Sequence, residues 1–127
     1  AYDTSPYRSD IHLLGYVAEE TLPELLGSAL ALTYVSLFEG FGLPILEALH
    51  AEVSVITSDR SSMPEVAGEA ALLVDPESVD SIAQAMRRVW MEPTLRQKLI
   101  VAGRKQRELF SWVETAVLVY DHLEIIA

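Results

Sequence analysis

The sequence predicts an α/β fold in which a parallel sheet is flanked by helices. Short apolar runs alternate with stretches of helical periodicity, as in consecutive β-α units. Some of these runs are apolar on both faces, which is typical of parallel strands that are covered on both sides. The chain has 127 residues, of which 50% are hydrophobic. That length and composition suit one domain, residues 1–127, with enough apolar side chains for a core.

The first part of the chain is predicted to contain four strands and two short helices. The expected strands are Ile11–Gly15, Ala29–Val35, Val53–Thr57 and Ala71–Asp75. One helix is expected at Leu22–Leu26, with Thr21 as its N-cap and Pro23 in its first turn. The other is expected at Leu43–Ala51, where Gly42 and Pro44 open it.

Residues 78–127 are predicted to form a helical segment of the same domain. The expected helices are residues 79–91, residues 94–109, and a third from Ser111 to about residue 125. Apolar residues recur at i, i+3 and i+4 after Ser78, and Pro93 separates the first helix from the second. Ser111 and Glu114 have the spacing of a capping box, which marks the start of the third.

Composition excludes several classes of protein. The chain carries 9 Lys+Arg against 19 Asp+Glu, a net charge of -10, so no nucleic-acid partner is expected. It has no cysteine, which excludes disulfides, thiolate metal sites and cysteine nucleophiles. His12, His50 and His122 are far apart and lack ligand spacing, so no metal site is expected.

The segment Glu39–Glu47, with the sequence EGFGLPILE, carries the candidate chemistry. It follows the predicted strand at 29–35 and opens a helix, so it lies where ligands bind in doubly wound sheets. Gly40 and Gly42 permit a sharp turn and a close approach of the backbone to a ligand. The N–H groups near Gly42 and Leu43 face outward with the positive end of the helix dipole. This arrangement predicts a site for a phosphate-sized anion.

Two glutamates flank that predicted anion site. Glu47 interrupts an apolar helix, so we expect a buried carboxylate that needs hydrogen-bond donors, such as sugar or ribose hydroxyls. Glu39 lies eight residues earlier, across the same helix terminus. The alternative is a glutamate that interacts with the helix dipole and binds no ligand. A dinucleotide fingerprint is absent, because Ile45 stands where its third glycine would fall, and this disfavours a dinucleotide-dependent oxidoreductase.

The motif EGFGLPILE, with VITSDRSSMPEVAGEAALLVDP and FSW after it, resembles a known family. It is similar to the donor-binding, C-terminal half of retaining glycosyltransferases with the GT-B fold, in the Glu-x7-Glu group (glycosyl transferases group 1, family 4). The similarity runs from about Ile11 to Tyr120. It implies a Rossmann-like parallel sheet that is partial, because the first two strands of that domain are not in this sequence. At residues 51–55 the sequence reads AEVSV, where the family commonly has CGVPV, which puts in doubt the local stability.

The resemblance implies a role for each residue of the motif. Glu39 matches the catalytic glutamate that contacts hydroxyls of the transferred sugar, and Glu47 matches the one that holds the ribose. Further donor-binding residues are implied at Tyr16, Val17, Phe41, Gly42 and Leu43. The first two match the segment that lines the nucleotide base. The other three match the loop whose backbone N–H groups meet the diphosphate and the sugar.

The implied activity is retaining transfer of a hexosyl group from a UDP- or GDP-sugar to an acceptor hydroxyl. The family needs no metal or other cofactor. A saccharide or lipid-linked acceptor would be held by an N-terminal domain that this sequence does not contain, so the isolated chain is expected to be inactive. The alternative is a non-catalytic α/β assembly fragment that binds no nucleotide. The chain has no membrane-spanning run and no signal peptide at its start, so we expect a cytoplasmic location, peripheral at the membrane in the parent enzyme.

The implied strand order, 3-2-1-4-5-6, predicts an exposed sheet edge. The sequence begins at strand three, so residues 11–15 lack a neighbour and residues 29–35 form an open apolar edge. Open edges pair with other chains. A homodimer through this edge is therefore expected, unless residues 11–15 pair directly with residues 29–35.

Three further features are interpreted as structural. Arg60 is expected to be a solvated loop arginine, with contact to a phosphate as the alternative. Ser62 and Glu65 have capping-box spacing, so Ser62 is expected to cap a helix and Glu65 to be structural rather than an acid or base. The basic run at residues 104–107 is expected to be the solvated face of a helix, with weak contact to acidic surfaces or lipid headgroups as the alternative.

Overall fold

The computed structural model describes residues 2–126 and contains six α-helices and three strands within them. In chain order these are α1 (Leu22–Ser28), β1 (Ala31–Tyr34), α2 (Leu43–His50), β2 (Ser54–Ser58), α3 (Met63–Ala67), β3 (Ala71–Val74), α4 (Val79–Met91), α5 (Pro93–Gln106) and α6 (Trp112–Ile126). The predicted order is confirmed for eight of these nine elements, whose ends differ from the prediction by a few residues, whereas α3 had no predicted bounds.

The three strands form one parallel sheet in the order β1-β2-β3. Ala31 pairs with Ser54 at one side of the central strand, and Val55 pairs with Ala71 at the other. All five residues of β2 are buried, because helices cover both faces of the sheet. The predicted α/β fold with a parallel sheet is confirmed.

Successive residues of β2 point into two separate apolar cores, since side chains alternate along a strand. Val55 packs in the larger core, which α2 and α3 complete with residues such as Ile45 and Val66. Ile56 packs in the smaller core with Val89 of α4. The sheet is therefore held in place from both sides, and the carboxyl ends of its strands meet at one edge.

Helix α2 begins directly after Gly42, as predicted. Gly42 has φ 107° and ψ 46°, a left-handed conformation that glycine adopts without the steric cost of a side chain. A Cβ atom at this position would lie 3.2 Å from Cδ1 of Ile45. Gly40 has neither a positive φ nor a neighbour within 4 Å of such a Cβ atom. Of these two glycines, only Gly42 is therefore required by the fold itself.

Helix α5 crosses α2 closely and anchors its end. Gly103 is buried at the crossing, where an added Cβ would lie 3.0 Å from Cδ2 of Leu49. The Nη1 of Arg107 donates to the carbonyls of Leu49 (3.3 Å) and His50 (3.2 Å) at the C-terminus of α2. Arg104 pairs with Glu52. Arg104 is exposed, as predicted for a solvated face, whereas the prediction is wrong for the half-buried Arg107, because the carbonyl end of one helix attracts a cation from the next.

The predicted strand Ile11–Gly15 is wrong: residues 11–15 are exposed and have no regular structure. An isolated strand leaves its backbone N–H and C=O groups without partners, and β1 pairs only with β2 in the described part of the chain. The segment does not pair with β1, so the outer edge of β1 is open among residues 2–126, as predicted.

The predicted caps have mixed outcomes. Thr21 makes no side-chain cap hydrogen bond, although α1 forms where expected. At α6 the prediction is confirmed, because the N–H of Glu114 donates to Oγ of Ser111 at 3.3 Å. No helix among residues 2–126 is long and apolar enough to cross a membrane.

Candidate functional site

A groove of about 930 Å³ lies between α1, α2 and the start of α6. Its walls are mainly apolar, with Leu22 and Leu26 from α1, Leu46 from α2, and Phe110 and Trp112 near α6. Its polar lining includes the side chains of Glu19, Glu47, His50 and Glu114. The groove therefore combines apolar surface with carboxylates that can accept hydrogen bonds from a hydroxylated ligand.

Helix α2 has one face in the core and another in this groove. Ile45, Ala48 and Leu49 are buried, whereas Leu43 and Glu47 line the groove. The expectation that Glu47 is buried is wrong: the side chain is exposed. The reason is the period of the helix, which turns Glu47 away from the face that Ile45 and Leu49 occupy.

The structure brings together three of the seven predicted site residues. Phe41, Leu43 and Glu47 line the groove. The remaining four, which are Tyr16, Val17, Glu39 and Gly42, are not among its lining residues. The side chain of Tyr16 is 92% exposed. The roles of all seven residues stay predictions.

Phe41 joins the motif to the segment before α6. Its ring meets that of Phe110 edge to face, with the ring centroids 5.7 Å apart and the planes at 81°. This is a favourable arrangement of two aromatic rings. The FSW motif at residues 110–112 therefore lies against the loop that contains Gly40 and Gly42, although Phe110 is 68 positions beyond Gly42 in the sequence.

Glu39 is half-buried at the end of β1, where two hydroxyl groups orient its carboxylate. Hydrogen bonds from Tyr34 and then Ser36 hold the pKa of the Glu39 carboxyl below its ordinary value. The hydrogen bond between Tyr34 and Glu39, together with burial, raises the pKa of the Tyr34 hydroxyl. Glu39 is therefore a negatively charged hydrogen-bond acceptor at neutral pH.

Sequence reasoning missed the two serines that contact the motif from the loop between β2 and α3. Ser61 Oγ donates to the carbonyl of Glu39 at 2.7 Å and accepts from its N–H at 3.4 Å. Ser62 Oγ lies within hydrogen-bond distance of the carbonyls of Glu39 (3.0 Å) and Phe41 (2.8 Å). The predicted cap at Ser62 is wrong, because its hydroxyl makes no cap hydrogen bond with α3. The sequence did contain a signal for these contacts, because two adjacent serines follow the carboxyl end of the strand predicted at residues 53–57.

Arg60 forms ion pairs with neighbouring carboxylates and is not an isolated solvated side chain. Its guanidinium lies 2.8 Å from Glu77, 3.0 Å from Asp75 and 3.7 Å from Asp59. A hydrogen bond to Glu77 raises the pKa of Arg60 above its ordinary value. Arg8 is the other basic side chain before residue 87, and it lies 3.9 Å from Asp3. Both cations of this part of the chain are thus partly neutralised by neighbouring acids.

Comparison with known proteins matches the sequence motif and the fold to one family. The family model described as Glycosyl transferases group 1 matches residues 6–106. The chain belongs to this family. It is 42% identical over 102 residues to O-antigen chain mannosyltransferase B of Escherichia coli, an alignment that covers 80% of this chain and 27% of that protein. It is 35% identical over 118 residues to the MMP alpha-(1->4)-mannosyltransferase of Mycolicibacterium hassiacum, covering 87% and 29% of the two chains.

The fold of the chain is also found in a solved enzyme. Sucrose-phosphate synthase from Thermosynechococcus elongatus matches with a TM-score of 0.80 and 25% identity, over 94% of this chain and 31% of that one. The chain thus spans about 30% of the length of each of these proteins. The resemblance to the C-terminal portion of a GT-B glycosyltransferase, with a partial Rossmann-like sheet, is confirmed.

Proposed function

We propose that this chain binds the nucleotide-sugar donor in a retaining hexosyltransferase. The observation that carries the proposal is the start of α2, where the left-handed Gly42 directs the first helical turn and Glu47 faces a groove from the same helix. Membership of the family supports transferase chemistry. The names of the two bacterial relatives support mannose as the transferred sugar.

The first turn of α2 is suited to the diphosphate of such a donor. The N–H groups of a first helical turn lack acceptors within the helix, and the positive end of the helix dipole favours an anion there. Departure of the nucleoside diphosphate increases the negative charge at this position, so the same groups stabilise the transition state. We propose that no metal ion is needed, and that further cations come from the rest of the enzyme, because Arg60 is already paired.

In this proposal the two glutamates bind different hydroxyl groups of the donor. Glu47 accepts hydrogen bonds from the two ribose hydroxyls, since one carboxylate can accept both. Glu39, which Tyr34 and Ser36 keep ionised, accepts from hydroxyls of the hexose. The leaving phosphate helps deprotonate an acceptor hydroxyl that attacks from the same face, so the anomeric configuration is retained. The acceptor is a saccharide or a lipid-linked saccharide held by another part of the enzyme.

The test is calorimetric titration of the chain with UDP and with GDP. We expect one of them to bind, and Glu47→Ala to weaken that binding about tenfold or more, because two charge-assisted hydrogen bonds are lost. Glu65→Ala removes an exposed carboxylate of α3 outside the groove and serves as the matched control. Absence of binding to both nucleotides would contradict the proposal and favour a non-catalytic fragment.

A further inference from the structure

We propose that Ser61 and Ser62 are positioning residues for the sugar-contacting glutamate, Glu39. This inference rests on the proposed function. The two serines stand on the loop that follows β2, and Glu39 stands on the loop that follows β1. Adjacent parallel strands bring these loops to the same edge of the sheet, so one loop can hold the other.

The contacts between the two loops are hydrogen bonds to the backbone of the motif. Ser61 Oγ bonds to both the carbonyl (2.7 Å) and the N–H (3.4 Å) of Glu39. Ser62 Oγ reaches the carbonyls of Glu39 (3.0 Å) and Phe41 (2.8 Å) on either side of Gly40. Both polar backbone groups of Glu39 are therefore engaged by one neighbouring side chain, which restricts the rotation of its peptide units.

Two local features show that the serine hydroxyls bond to the neighbouring loop rather than to the helix that follows them. Ser61 has φ 57°, a left-handed conformation that a residue with a side chain adopts at a steric cost. Ser62 occupies the N-cap position of α3, where a serine hydroxyl usually accepts from the helix backbone, yet it makes no such bond. Both hydroxyls are directed to the backbone of residues 39–41 instead.

Glu39 is consequently held from two directions. Tyr34 and Ser36 bond to its carboxylate from the end of β1, while Ser61 and Ser62 bond to its backbone from the next loop. Glu47 is on α2, and neither serine shares a hydrogen bond with it in the described part of the chain. Loss of the Ser61 hydroxyl, which bonds only to Glu39, should therefore affect recognition of the hexose and leave recognition of the nucleotide nearly unchanged. Loss of the Ser62 hydroxyl, which also bonds to the Phe41 carbonyl, should affect both.

The experiment compares the affinity for a nucleoside diphosphate with that for its mannose conjugate, GDP and GDP-mannose being one such pair. The variants are Ser61→Gly, which removes the hydroxyl while allowing the positive φ, and Ser62→Ala. For Ser61→Gly we expect GDP affinity within about twofold of wild type, whereas Ser62→Ala should also weaken GDP binding, because it removes the bond to the Phe41 carbonyl. We expect the ratio of GDP-mannose affinity to GDP affinity to fall about fivefold to tenfold, as one or two hydrogen bonds are lost. Ser62→Thr keeps the hydroxyl and should restore the ratio.

Ser28→Ala is the matched control, because it also removes a hydroxyl that donates to a backbone carbonyl, at the end of α1. Thermal unfolding checks that every variant is folded. Binding of both ligands by wild type, with an unchanged ratio in Ser61→Gly and Ser62→Ala, would overturn the inference alone. Absence of binding by wild type to either the UDP or the GDP pair would overturn the proposed function and this inference with it.

Discussion

Arg104 binds the carboxylate of Glu52 in a bidentate ion pair, with Nε–Oε1 at 2.9 Å and Nη2–Oε2 at 2.6 Å. Glu52 has φ 58°, at the position between α2 and β2 where the family commonly has glycine. Arg107 adds a longer contact of 3.7 Å to the same carboxylate. The ion pair therefore joins α5 to a turn whose backbone conformation is unfavourable for glutamate.

The first prediction concerns the pH dependence of stability. The hydrogen bond from Arg104 lowers the pKa of the Glu52 carboxyl. A lowered pKa in the folded state means that the ion pair contributes fully above the ordinary glutamate value, about 4.3, and is lost as the pH falls through the lower folded value. We expect Glu52→Gln to destabilise the chain at pH 7 and to have little effect below that window, as measured by urea unfolding at several pH values.

Glu24→Gln is the control for that series, because Glu24 is exposed and makes no ion pair within residues 2–126. Arg104→Gln should reproduce the Glu52→Gln profile. An equal loss of stability for Glu52→Gln at pH 7 and at the acid end of the series, below the folded pKa of Glu52, would show that the ion pair is not its cause.

A second prediction concerns two buried serines of β2. Ser54 Oγ is buried and has no hydrogen-bond partner within residues 2–126, whereas Ser58 Oγ accepts from the N–H of Arg60 at 3.2 Å. A buried hydroxyl without a hydrogen-bond partner destabilises the folded state, and one with a partner stabilises it. We expect Ser54→Ala to raise the free energy of unfolding by about 1 kcal/mol and Ser58→Ala to lower it by about 1 kcal/mol, by chemical denaturation. Destabilisation by Ser54→Ala would show that this hydroxyl has a partner in solution.

A third prediction separates the two glycines of the motif. Gly42→Ala should destabilise the chain by about 1–2 kcal/mol, because alanine is strained at a positive φ. Gly40→Ala should leave stability nearly unchanged, because an added Cβ would meet open space. Urea unfolding of both variants measures the difference. Equal destabilisation by both substitutions would contradict the assignment of the left-handed turn to Gly42.

A fourth prediction concerns the open edge of β1. A homodimer was predicted unless residues 11–15 paired with this edge, and they do not pair with it. We expect the isolated chain to dimerise at high concentration, and Thr33→Lys to shift it towards monomer, because an edge lysine opposes strand pairing. Thr94→Lys, at the start of α5, is the control. Size-exclusion chromatography with light scattering measures both, and a wild-type monomer at every concentration would contradict the prediction.

Local sequence patterns predicted most elements of this fold. The start of α2 after Gly42, the strand at β2 and the cap at Ser111 were correct, because each depends on residues within one or two turns. Residues 11–15 show the limit of such patterns. An apolar run can form a strand only when a neighbouring strand accepts its backbone hydrogen bonds, and the sequence does not show whether that neighbour is present.

The candidate site was predicted in part. The motif and the helix that carries it were identified from spacing, yet the side of α2 that Glu47 occupies was misassigned. Apolar residues occur on both faces of α2, so periodicity alone could not tell the core face from the groove face. Packing decides between them, since α5 covers the face that contains Leu49.

The sequence by itself determined the family, the order of helices and strands and the glycine at which α2 begins, because these depend on residues that are close along the chain. The tertiary structure alone decided that Ser61 and Ser62 bind the backbone of Glu39 and that Arg104 binds Glu52. These hydrogen bonds join residues that are 22, 23 and 52 positions apart. A hydroxyl or guanidinium bonds to whatever acceptor lies within about 3 Å, and only the packing of the sheet and helices brings those acceptors there.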